Sequence, residues 1–250
     1  MQLNRYFNPR RLYLQIKNDI FRNYRTWLIT LGAITGVLMA IDLLPGVLAG
    51  KPHIPVETYY SLFIIVGFIF SSAAFVEMHD PQKGLVYMTT PASEFERFLS
   101  KFLITNISYI VLAFIYFTIL TYLLKGINGL LFENPDGQFV FNWEVARIYF
   151  ILQSIFLFAG SYFKKHAFLK LLFAGFVLNL IFSFYSIINV KIIFGNIAGP
   201  GINFDNLDMS IGGVAEFAKN IFNSARFIFN WLLAPYFWIL TYLRIREKEV

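Results

Sequence analysis

The side chains able to do chemistry in this sequence are few, and most lie between long apolar runs. The densest group is the polar island Glu77–Lys101, EMHDPQKGLVYMTTPASEFERFLSK, with Glu77, Asp80, Lys83, Glu94, Glu96, Arg97 and Lys101. Within it, Ser93-Glu94-Phe95-Glu96 has the spacing of a capping box. The Ser93 hydroxyl accepts from the Glu96 amide, and the Glu96 carboxylate reaches back to the Ser93 amide. That work is structural: it satisfies free N–H groups at a helix start and makes no covalent bond. Asp42 is the one acid inside an apolar run away from its ends. An ionisable group at membrane depth is a functional candidate by default. The Leu43-Leu44-Pro45-Gly46 that follows places it near the outer interface and favours a local structural role over a proton relay.

Other chemistries lack their residues. No G-x-x-x-x-G-K-[ST] run is present, so the chain does not cradle ATP phosphates by itself. Cys is 0, and His53, His79 and His166 all sit between apolar runs, with no H-E-x-x-H pattern. No catalytic residue and no metal site is expected. An enzyme acting on lipid intermediates would need acids clustered at one face. Glu77, Asp80, Glu94 and Glu96 are close in sequence, but capping accounts for Glu96 and the Asp80-Pro81 turn for Asp80.

The elements around these groups are transmembrane helices. Of 250 residues 57% are hydrophobic and 14% charged, and mean hydropathy is +0.59. A soluble core of this length cannot hide that much apolar surface. Six runs are long enough to span, at about 27–50, 58–76, 102–124, 145–163, 171–190 and 227–243, the last short and carrying Pro235. Helices are expected because backbone groups in lipid must be satisfied within the segment. The expected architecture is all-α: an amphipathic arm over 1–26 and a single six-helix domain over 27–250. No cleavable signal peptide is expected.

Most of the 21 Lys and Arg fall in the arm (Arg5 to Arg25), in Lys83–Lys101, in Lys164–Lys170 and in Arg244–Lys248. The positive-inside rule puts these segments and both termini in the cytoplasm. The net charge of +6 therefore sets orientation, and nucleic-acid binding is not expected. Gly195–Arg226 reads as an extracytoplasmic loop with a short helix over 211–222. In the arm, Tyr13, Ile16, Ile20, Tyr24 and Trp27 share a helical face, and cations fill most of the rest. Periodicity favours an anchor lying on the membrane surface among the lipids. Gly32, Ala33 and Gly36 form a small face suited to close helix packing, and Asn179, Asn189 and Asn230 have the chemistry to bond between helices.

The island 77–101 resembles the first cytoplasmic loop of type 2 ABC exporter permeases. The resemblance rests on Glu77, Gly84-Leu85, Met88, Pro91-Ala92-Ser93, Glu96 and Lys101, in a chain with an amphipathic arm and six apolar runs. It implies a coupling helix over Lys83, Gly84, Leu85, Val86, Tyr87, Met88 and Thr89. It implies a pivot into the third span at Pro91, Ser93, Glu96 and Lys101, with Glu77 as the acid ending the second span. The Leu85-Val86-Tyr87 after the glycine departs from the family's Thr-Leu-Glu.

The function implied is that of a membrane-spanning permease subunit, an exporter in the bacterial cytoplasmic (inner) membrane. Its implied partners are an ABC ATPase subunit holding ATP and Mg, and a second permease in a homo- or heterodimer. The arm would then be an elbow helix. The alternative is a non-transporting membrane anchor or scaffold that recruits a cytoplasmic complex through the same loop.

Overall fold

The computed structural model describes residues 7–49, 56–80, 84, 92–131, 139–194, 220 and 223–247. Among them every regular element is helical, as a chain that must close its backbone hydrogen bonds in lipid requires. Helix α1 is Pro9–Ala49, α2 is Val56–Ser72 and α3 is the single turn Val76–His79. Helix α4, Glu94–Phe102, runs through a π-helical turn, Leu103–Ser108, into α5, Tyr109–Leu131. Helices α6 (Trp143–Tyr162) and α7 (Ala167–Phe194) follow. The π-helical turn Ile228–Leu232 leads into α8, Leu233–Glu247.

By length and composition five of these units can cross a membrane: α1, α2 with α3, α4 with α5, α6, and α7. The chain is a multi-pass membrane protein. Residues 223–247 are also helical throughout but are not among the five. Pro235 lies inside that helix, where it lacks an N–H and crowds the carbonyl four residues back at Trp231. The π-helical turn Ile228–Leu232 sits directly over that defect and absorbs it.

The arm expected to stop at residue 26 is continuous with the first span. Helix α1 passes through Trp27 without a break and covers 41 residues. The composition changes there, but no Gly or Pro stands between Arg10 and Leu31 to interrupt the ladder. Its start is ordinary: Asn8 accepts from the Arg10 amide at 2.9 Å, and Pro9 takes the first helical position.

Paired residues fix the relative directions of the helices. Thr35 meets Tyr116, and Asp42 meets Asn128, so α1 and α5 run together. Trp27 meets Phe70, so α2 runs against α1. Phe63 meets Tyr149 and Phe68 meets Phe156, so α6 follows α2. Trp238 meets Phe150 and Arg244 meets Tyr162, so α8 follows α6. One end of the bundle therefore gathers the start of α1, α3, the start of α4, the ends of α6 and α8, and the turn into α7. We call it the basic end because the Lys and Arg clusters lie there. In that turn His166 adopts φ 55, a left-handed conformation that His tolerates better than branched residues.

Lipid tails are as apolar as leucine, so helix association rests on dispersion, close backbone approach and interhelical hydrogen bonds. The packing core shows all three. Phe68 and Phe156 stack with ring centres 4.1 Å apart, and Tyr149, wholly buried, touches Phe63, Phe68 and Tyr109. A Cβ on Gly160 would stand 2.6 Å from the Ser72 carbonyl, and one on Gly67 would overlap the Tyr149 ring. These glycines let α6 cross α2. The small face expected at Gly32 and Gly36 plays no such part, since both meet nothing within 4 Å. Helix α7 buries none of its apolar window inside the protein, although its start packs on α6 through Phe168 and Phe156. Asn189 donates to the Tyr185 carbonyl of its own helix, so it makes no bridge to another.

Candidate functional site

The basic end holds a compact ionic knot built from three elements. Helix α4 begins with the capping box read from the sequence. The Glu96 amide donates to Ser93 Oγ at 3.2 Å, and the Ser93 amide donates to Glu96 Oε2 at 3.0 Å. That engages one Glu96 oxygen. The other, Oε1, accepts from the Asn8 amide at 2.6 Å and from Arg11 Nη2 at 3.0 Å. Glu96 is 0% exposed, and these donors, with Arg11 Nε at 3.3 Å, match its charge. The start of α1 is thereby tied to the start of α4.

About two helical turns further along α1, Asp19 repeats the pattern. Lys101 Nζ lies 2.9 Å from Asp19 Oδ2, and the Ser100 hydroxyl donates to the same oxygen at 3.2 Å. Arg22 Nη2 stands 3.6 Å from Asp19 Oδ1 and also pairs with Glu77 on α3. Asp19, Glu77 and Glu96 are thus matched by Lys101, Arg22 and Arg11. Asp19 and Lys101 are both buried, and such a pair tolerates loss of one member poorly. The arm's outward residues Tyr13, Ile20, Phe21 and Tyr24 are exposed. Its polar stripe at Arg11, Asp19 and Arg22, at helical spacing, faces the protein.

Glu77, Ser93, Glu96 and Lys101, singled out in the sequence, are brought together here. Gly84 is buried and helical, its amide donating to the Asp80 carbonyl at 2.7 Å. Lys83, Leu85, Val86, Tyr87, Met88, Thr89 and Pro91 lie outside the described residues. Sequence reasoning missed Arg11, Asp19 and Arg22. A signal was present: Asp19 is the only acid before Trp27, among six cations. An acid kept in a positively charged arm implies a buried cation elsewhere that needs it.

The knot continues into the membrane through Thr105, within the π-helical turn. Thr105 Oγ1 donates to the Lys101 carbonyl at 2.8 Å and accepts from Gln153 Nε2 at 2.8 Å. The widened ladder of a π-turn releases a carbonyl. Tyr149 uses it, its hydroxyl donating to the Thr105 carbonyl at 2.7 Å. A motion of α4 therefore has hydrogen-bonded contact with α6. His79 makes a second link, its Nε2 lying 3.2 Å from the Gly160 carbonyl.

At the far end, Asp42 is 1% exposed and Asn128 is 2% exposed. Asn128 Nδ2 donates to Asp42 Oδ2 at 2.6 Å, a bond the sequence did not reveal. Arg147 pairs with Glu144 on its own helix and remains exposed, as expected of a snorkelling side chain. Among the described residues no three His, Cys, Asp or Glu side chains gather as a metal site. The knot ties three segments, α1, α3 and α4, together. No protein-family profile, curated protein or solved structure matches the chain.

Proposed function

We propose that this chain is the membrane-spanning permease subunit of an ATP-driven ABC transporter. It acts as an exporter in the bacterial inner membrane, beside a second permease and above a separate ATPase subunit that binds ATP and Mg. In this reading there are six spans, with residues 223–247 as the last. Both termini and the basic end face the cytoplasm.

The observation that carries the proposal is the ionic knot. The loop 77–101 leaves it at Glu77 and returns to it at Ser93 and Glu96. Anything that pushes on Lys83–Thr89 pulls on residues locked to three helices at once. The push reaches the second span through Glu77, the third through Glu96 and Lys101, and the arm through Arg11, Asp19 and Arg22. From Lys101 it passes by way of Thr105 to Tyr149 and Gln153 on α6. A merely connective loop has no need of buried charges such as Glu96 and Lys101 at its return end, which are expensive to desolvate.

The test is purification in mild detergent followed by measurement of ATP turnover. The expected result is a stoichiometric subunit with a phosphate-binding Gly-rich loop, whose ATP hydrolysis falls in Glu96→Ala while membrane insertion is unchanged. A preparation free of any ATPase at matched expression would replace this reading with that of a scaffold.

A further inference from the structure

We infer that Asp42 and Asn128 form the core of a binding site for a dehydrated monovalent cation, Na+ being the probe that tests it. The site lies between α1 and α5, toward the end of the bundle opposite the knot. The inference does not depend on the transporter reading.

Asp42 is a carboxylate wholly enclosed by helices that cross the membrane. Among the described residues its hydrogen-bond donor is the neutral amide of Asn128. Among the described residues no Lys, Arg or His pairs with it, in contrast to every acid of the knot. A buried charge needs a counter-charge or a metal. The atoms around Asp42 are of the kind that supply the second. Asn128 Oδ1 is buried and has no hydrogen-bond partner, leaving an acceptor without a donor beside the carboxylate. Pro45 has no N–H, which leaves the Ile41 carbonyl without its helical donor one residue before Asp42.

Every one of these ligating atoms is oxygen, the donor set of hard cations, with none of the nitrogen or sulfur that softer metals take. One carboxylate among neutral oxygens balances a single positive charge. Two would be needed to balance a divalent ion, and among the described residues no second acid joins Asp42.

The experiment is thermal unfolding of the purified full chain, followed by tryptophan fluorescence. NaCl is exchanged for choline chloride at constant ionic strength. A ligand that binds only the folded state raises the midpoint by mass action. The expected result is a saturable Na+-specific rise of several degrees that disappears in Asp42→Asn. Asn128→Leu keeps the acid but removes Oδ1, and it should lower the Na+ affinity at least tenfold. This second variant keeps the test decisive if Asp42→Asn does not fold. Equal responses to Na+ and choline would overturn the inference. So would a Na+ response retained in both variants, or a midpoint that follows pH and ignores Na+, which would assign Asp42 a proton instead.

Discussion

The two buried polar centres of this protein solve the burial of charge in opposite ways. In the knot Asp19, Glu77 and Glu96 are each met by a cation, and the pairs bridge different helices. At the far end Asp42 has a neutral partner, and that partner's own carbonyl is left over. A matched ionic centre fixes geometry, because separating its members exposes unpaired charge to a medium that cannot solvate it. An unmatched one has unused capacity for a ligand. In the reading proposed above, the first centre holds and transmits and the second binds.

The sharpest way to break the comparison is Asp19→Ala. It strands Lys101 in a buried site, and loss of one member of a buried pair costs about 3–5 kcal/mol. Unfolding of the purified protein should show that loss, and replacing Asp19 and Lys101 together with apolar residues should recover most of it. Glu96→Ala comes next. It removes a capping box worth about 1 kcal/mol and a charged hydrogen bond worth about 1.5–3 kcal/mol. It should therefore loosen the arm, read as faster hydrogen exchange at the start of α1.

Packing provides a gentler contrast. Gly160→Ala pushes a methyl against the Ser72 backbone, and overpacking of this kind costs about 1–3 kcal/mol. Gly36→Ala meets open space within α1 and should instead stabilise that helix, by up to about 1 kcal/mol on helix propensity. Both shifts are read from thermal midpoints. The smallest effect belongs to Arg147→Ala. Its pairing with Glu144 is exposed, and the change should stay within about 0.5 kcal/mol. A large loss there would mean that exposed and buried pairs do not differ in this protein as argued above.

Much of the frame was readable from the chain. The apolar runs mark the helices, and the run read at 145–163 is close to α6, Trp143–Tyr162. The capping box at Ser93 and Glu96 forms as its spacing requires. The helix ends were less legible. Composition alone puts a boundary at Trp27 and begins the fifth run at residue 171, whereas α1 passes through the first point and α7 starts at Ala167. Helix continuity depends on backbone hydrogen bonds, and these are indifferent to a change from charged to apolar side chains.

What the sequence by itself determined is therefore everything local: helices in place of strands, a membrane in place of water, a capped start at Ser93. Each follows from groups a few residues apart, because a helix in lipid satisfies its own backbone. Only the tertiary structure decided that Asp19 belongs to Lys101, Arg22 to Glu77 and Asp42 to Asn128. It also decided that Gly160 rather than Gly36 carries a close crossing. Such partners lie far apart along the chain, and they meet according to which faces the helices turn to one another. That choice is made by the fit of rings and small residues between helices, and no single segment contains it.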